Sequence, residues 1–129
     1  MTNEPIIIKD LPAIPEDTFS IETSTDLPVP FVRVKGEIDI YSCPQLNKNL
    51  LAMIEEGHPH LILNLDHVNY VDSTGLGTIA HAARTLAEQK GHISVVCQNS
   101  QIKTLFHVSG LTRKNVDVFE SEEDALKAT

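Results

Sequence analysis

The run Asp72-Ser73-Thr74-Gly75-Leu76-Gly77 gathers a carboxylate, two hydroxyls and two glycines in a short stretch of chain. It lies between an apolar run, Leu61 to Leu65, and an Ala-rich amphipathic segment that ends near Lys90. A small-residue turn between a strand and a helix can cap the helix, bind an anion, or offer a hydroxyl to another protein. A phosphate-binding loop would need GxxxxGK[ST], which is absent, and Gly75-x-Gly77 lacks the third glycine of a dinucleotide fingerprint. Ser73 as a nucleophile would need a histidine base and a GxSxG elbow, but Val71-Asp72 precede it. As a plain N-cap, Ser73 would stabilise a helix by about 1 kcal/mol. Gly75 and Gly77 inside that helix would each cost about 1 kcal/mol relative to Ala, which cancels the gain. The two glycines are therefore expected to serve the close approach of another molecule.

The remaining reactive side chains form no catalytic constellation, and no metal or cofactor is expected. His58-Pro59-His60 has no acidic or Cys partner at ligand spacing and reads as a solvated loop pair. His81, in the Ala-rich segment, reads as a surface or core-edge residue. Cys43 and Cys97 lie far apart without a CxxC pair, which points to two reduced, buried thiols.

Composition narrows the possible partners. The 129 residues fit one domain with a single core. A net charge of −8 without any basic run opposes nucleic-acid binding, and the absence of Trp removes a stacking platform for single strands. No run approaches the roughly 20 apolar residues that cross a bilayer, and the N-terminus lacks a signal-peptide pattern. The expectation is a soluble, cytoplasmic protein that contacts neither nucleic acid nor membrane.

The elements that would position the motif follow in order. Residues 1–17, with Pro5, Pro12 and Pro15, read as an extended arm with at most an edge strand at Ile6-Ile7-Ile8. Thr18 to Thr23 and Phe31 to Lys35 alternate apolar and polar, giving an antiparallel pair turned at Thr25-Asp26-Leu27-Pro28 and ending at Gly36. Ser42-Cys43-Pro44-Gln45 reads as a capping box for a helix that buries Leu46, Leu50, Met53 and Ile54 and stops at Gly57. Leu61 to Leu65 reads as a strand covered on both faces. Leu76, Ile79, Ala80, Ala83, Leu86 and Ala87 repeat at helical spacing as far as Gly91. Ile93 to Cys97 is the next strand. A third helix after Asn99-Ser100 buries Ile102, Leu105 and Phe106 and stops at Gly110, with Leu111 making the contact of a glycine cap. Val116 to Phe119 is a last strand, and Ser121 to Asp124 a second capping box. The alternation predicts an α/β domain over residues 18–129, with a mixed sheet of about four to five strands and helices mainly on one side.

Gly36-Glu37-Ile38-Asp39, the Leu61–Leu65 strand, Asp72 to Gly77, and Leu105-Phe106 with Ser109-Gly110-Leu111 occur in the order found in bacterial anti-sigma factor antagonists. The chain resembles these single STAS domains, in particular their general-stress and sporulation members, from about Thr18 to Ala128. The resemblance implies a switch. The hydroxyl after the motif's Asp, Ser73 here (Thr74 as the rival), would be phosphorylated by a cognate anti-sigma factor of the GHKL serine-kinase type. The unphosphorylated antagonist would bind that kinase and release a sigma factor; a manganese-dependent PPM-type phosphatase would reset it. Asp39 and Asp72 match the family's acids beside the acceptor, and Ser73, Thr74, Gly75, Leu76 and Gly77 would join them at the partner surface. The chain itself would not be an enzyme. The alternative is a STAS scaffold or transporter-associated subunit that is never phosphorylated.

Overall fold

Period-two apolar alternation in the first half of the chain and regular strand–helix alternation after it produce one five-stranded sheet in the computed structural model. Residues 19–25 and 28–129 are described; the expected arm and the Asp26-Leu27 part of the first turn lie outside them. Strand β1 (Ser20–Ser24) pairs antiparallel with β2 (Phe31–Ile38). Helix α1 (Cys43–Glu55) leads to β3 (His60–Val71), and helix α2 (Ser73–Ala87) to β4 (His92–Val96). Helix α3 (Ser100–Val108) and a short 3-10 turn (Leu111–Arg113) precede β5 (Val116–Phe119) and helix α4 (Glu122–Lys127). The strands lie in chain order, β1-β2-β3-β4-β5, and β2 to β5 run parallel.

The face that carries Val32, Leu61, Leu63, Leu65, Ile93 and Val95 packs under α1, α2 and α3. Those helices contribute Leu46 and Leu50, Ile79 and Leu86, and Ile102 and Phe106. Among the described residues, the opposite face is covered in its middle, where α4 sets Ala125 on Phe31, Ile62 and Val96. Arg33 and Asn64 on that face both reach Glu122 of α4. The guanidinium donates from Nε at 2.7 Å and from Nη2 at 2.9 Å, and the amide donates at 2.7 Å. Helices mainly on one side is therefore the observed arrangement, and double cover of the central strand holds where Ile62 lies.

Two boundaries and one buried position differ from expectation. Strand β2 does not end at Gly36 but continues to Ile38, because Gly36 takes φ 106° and the pairing with β3 shifts register on either side of it. Strand β3 runs unbroken from His60 to Val71, since the polar Asp66-His67 step is absorbed by the same irregularity, with Lys35 opposite His67. In α3, Ile102 and Phe106 share the buried stripe while Leu105 is 37% exposed, one position off the core-facing row. Gly110 does close that helix with φ 82°, and Leu111 beyond it is buried.

Candidate functional site

Strands β2 and β3 end side by side, with Ile38 opposite Val71, and each feeds a helix through a tight junction. The amide of Asp72 donates to the carbonyl of Ile38 at 3.1 Å, which fixes where β3 stops and α2 starts. Asp72 is thereby left in extended geometry with its carboxylate over the first turn of α2. It accepts from the Gly75 amide at 2.8 Å and is the N-cap. Ser73 is consequently the first helical residue and not the cap, which corrects the capping role considered for it. Its hydroxyl is exposed and, among the described residues, has no hydrogen-bond partner. Thr74 is exposed beside it. The amides of Ser73 and Thr74 have no carbonyl a turn earlier to bond, so the positive end of the helix is open here.

The neighbouring junction is built the other way. The capping box expected at Ser42 does not form: Ser42 is already in helical geometry and makes no cap bond. Its hydroxyl instead donates to the Glu37 carbonyl at 2.7 Å and accepts from the Asp39 amide at 2.9 Å, folded back on the end of β2. Asp39 completes the turn by accepting from the Tyr41 and Ser42 amides at 2.9 and 3.0 Å. Both acids expected near the phosphoacceptor thus hold backbone: Asp39 shapes the β2–α1 turn and Asp72 caps α2.

The two glycines separate as well. Gly75 is buried, and a Cβ there would lie 2.6 Å from Ile38 Cγ2 and 3.1 Å from the Ile38 carbonyl oxygen. Its smallness serves the packing of α2 on β2, not an outside molecule. Gly77 is exposed, and a Cβ there would meet nothing within 4 Å. Only Gly77 fits the expected role of leaving room for a partner, and Leu76 between them is half-buried against the core.

A feature absent from the sequence reading is a shallow groove of about 540 Å³ between α1 and α2, lined by Ile40, Pro44, Asn47, Thr74, Gly77 and His81. Ile40, which lines it, is 61% exposed, and Tyr41, next in the chain, is 90% exposed. The spacing of Ile38 and Ile40 looks like a continuing strand, which hid the apolar apex of the turn; a Tyr next to a capping motif was the one available hint. Cys43 lies beneath the groove, where burial pushes its thiol pKa up, so it packs as a neutral group. Cys97 is likewise free and buried. His81 is exposed at the groove's edge. Among the described residues, no three His, Cys, Asp or Glu side chains come together as a metal site, and no helix is long and apolar enough to cross a membrane.

The fold and the sequence have known counterparts. The STAS domain model matches residues 20–125. An anti-sigma-B factor antagonist of Staphylococcus aureus is 34% identical over 92 residues, covering 71% of this chain and 85% of its own. One from Staphylococcus epidermidis is 35% identical over the same length. The crystal structure of an anti-sigma factor antagonist from Mycobacterium paratuberculosis superposes with a TM-score of 0.78 at 27% identity, over 87% of this chain and 94% of that one. The unphosphorylated form of the anti-sigma factor antagonist SpoIIAA shares the fold with a TM-score of 0.66 at 20% identity, over 86% and 96% of the two chains. The family match over residues 20–125 and these relatives agree: the chain belongs to the STAS domain family.

Proposed function

We propose that the protein is a cytoplasmic anti-sigma factor antagonist switched by phosphorylation of Ser73. The observation that carries this is the state of the Ser73 hydroxyl: exposed, without a hydrogen-bond partner among the described residues, and set on the first residue of α2 because Asp72 has taken the cap. The Staphylococcus relatives bear the name of anti-sigma-B factor antagonists, and the SpoIIAA fold has been solved in a phosphorylated form. The binding partner would be an anti-sigma factor of the GHKL serine-kinase type, and a PPM-type phosphatase would reverse the modification.

A phosphate on Ser73 would add about −1.5 to −2 charge. The open amides and dipole of α2 stabilise that charge, so the domain stays folded after modification. The cost falls on association, where the dianion must be desolvated against the partner. A loss of about 3 kcal/mol weakens binding more than a hundredfold. Gly77 and the groove beside Thr74 leave a kinase active site room to reach the hydroxyl.

Calorimetry with the cognate kinase tests this directly. Ser73→Ala should bind as tightly as the unmodified protein and resist ATP-dependent release. Ser73→Asp should bind at least tenfold more weakly while melting at the same temperature. Equal affinity of the two variants would refute the switch, and phosphopeptides labelled only at Thr74 would move it by one residue.

A further inference from the structure

A second hollow, of about 300 Å³, lies over β1, β2 and β3 and is lined by Ser20, Glu22, Arg33, Val34, Lys35 and His67. Ser20, Lys35 and His67 are register partners, so a hydroxyl, an ammonium and an imidazole stand in one row across the three strands. Glu22 and Arg33 form a neighbouring pair. In a chain with 18 acids against 10 Lys and Arg, this gathering of donors is a local reversal of the overall charge. Arg33 is fixed in place. Its Nε and Nη2 donate to Glu122 at 2.7 and 2.9 Å, and its Cζ lies 4.9 Å from the centre of the Phe31 ring. Those two bonds use two of the five N–H groups of a guanidinium. Nη1 is 3.6 Å from the Glu22 carboxylate, beyond hydrogen-bond reach, so that edge is left for a ligand. Lys35 makes no ion pair among the described residues. Asp66, beside His67 in the chain, accepts instead from the Gln98 amide at 3.1 Å.

We propose that this hollow binds a small phosphate monoester, with Arg33, Lys35, His67 and Ser20 donating to the phosphate oxygens. Donors brought from three strands suit a tetrahedral oxyanion, and a fixed guanidinium edge beside an ammonium supplies charge-assisted bonds to it. The phosphate group itself fills only part of the hollow, which leaves room for the organic portion of the ester. A concave site of this size favours a small molecule over a protein surface. Glu22 is the one acid in the lining and opposes an anion; its side chain is 75% exposed and swings into water without losing a hydrogen bond. Arg33 already answers Glu122, so the attraction comes chiefly from Lys35 and from the unused Arg33 edge. The hollow shares the face of the sheet that carries α4, away from the α1–α2 groove beside Thr74. Its occupation therefore does not depend on what meets Ser73.

The full chain, labelled with nitrogen-15, can be titrated with glycerol phosphate and separately with inorganic phosphate, each to about 20 mM at an ionic strength held constant with chloride. Saturable amide shifts should appear at Ser20, Lys35, His67 and their chain neighbours, with the ester saturating at the lower concentration. Lys35→Gln should weaken binding about tenfold by removing a charged donor. Glu22→Gln should tighten it severalfold, because the opposing carboxylate is gone. Lys114→Gln, the same charge change before the start of β5, should leave it unaltered. Shifts that grow linearly without saturating, or an equal response in Lys35→Gln, would overturn the proposal. So would shifts centred on Ser73 and Thr74, which would put the anion at the open end of α2. Inorganic phosphate binding as tightly as the ester would overturn the ester in favour of the free ion. A glutamate-rich peptide that binds where neither phosphate does would make the hollow a protein contact and overturn the small-molecule assignment. No kinase enters these measurements, so they stand or fall independently of whether Ser73 is a phosphoacceptor.

Discussion

Two strand-to-helix junctions lie side by side at the end of β2 and β3, and each carries an acid followed by a serine at the start of its helix. At the first, Ser42 is only 9% exposed and spends its hydroxyl on the Glu37 carbonyl and the Asp39 amide. At the second, Asp72 accepts the amide that the serine would have capped, and Ser73 keeps its hydroxyl free in water. The difference comes from which residue ends the strand. At the β3 junction the Asp72 amide is tied to the Ile38 carbonyl, so the acid is held extended at the cap. At the β2 junction the acid sits two residues earlier in a wider turn, and the serine is pulled back to brace it. One serine is part of the framework and the other is carried by it.

The sharpest way to break this comparison is through the two glycines of α2. Gly75→Ala forces a methyl to within 2.6 Å of Ile38 Cγ2, at the point where both junctions meet. Ile38 is fully buried and cannot swing away. The substitution should cost about 2–3 kcal/mol in urea denaturation. Gly77→Ala, two residues on, adds a methyl in open space and should stabilise by up to about 1 kcal/mol through helix propensity alone. Similar stabilities for the two variants would show that α2 and β2 do not meet as closely as Gly75 requires.

The serines come next. Ser42→Ala leaves the Asp39 amide without its acceptor in a part-buried turn, and should destabilise by about 1–2 kcal/mol. Ser73→Ala removes an unpartnered surface hydroxyl and should stay within about 0.5 kcal/mol of the unmodified protein. A Ser73→Ala loss as large as that of Ser42→Ala would mean that Ser73 is a structural cap after all, and that its exposure is incidental.

What was legible in the sequence follows the range of the interactions. Element order, the antiparallel first pair and the two apolar helix stripes are local patterns, and they were readable. Placing the cap at Ser73 rather than Asp72 was undecidable locally, because the choice depends on a hydrogen bond from Asp72 to Ile38 on another strand. The same holds for Gly75, whose constraint comes from Ile38, and for Glu122, which reads as a first-turn acid of α4 yet answers Arg33 89 residues away. Ser121 followed the local rule, accepting from the Asp124 amide at 3.1 Å, as did Asn99, which accepts from the Gln101 and Ile102 amides. The motif at residues 72–77 was visible as a site; which of its residues build the site and which are presented by it was not.

Acidification sharpens the contrast from the opposite end of the sheet. His60 opens β3 and His92 opens β4 as register partners, with ring centroids 4.5 Å apart. Ser73 follows the far end of β3. Burial, and then the adjacent His60, push the His92 pKa below its ordinary value of 6.5; Asp117 offsets this in part. The unfolded chain therefore takes up a proton on His92 before the folded one does, and stability must fall as pH drops below about 6.5. Glu122 adds a second, lower step. The Arg33 hydrogen bonds, with help from Asn64, hold its carboxyl below the ordinary 4.5, so its contribution is present above that pH and is lost beneath it. Denaturation midpoints between pH 8 and 4 should show the first descent in the unmodified protein and not in His92→Gln, while Ser73→Ala should retain it in full. A descent that survives His92→Gln would place the proton elsewhere. One that Ser73→Ala removes would join the two ends of β3 in a single cooperative unit, leaving the presented serine no longer independent of the framework beneath it.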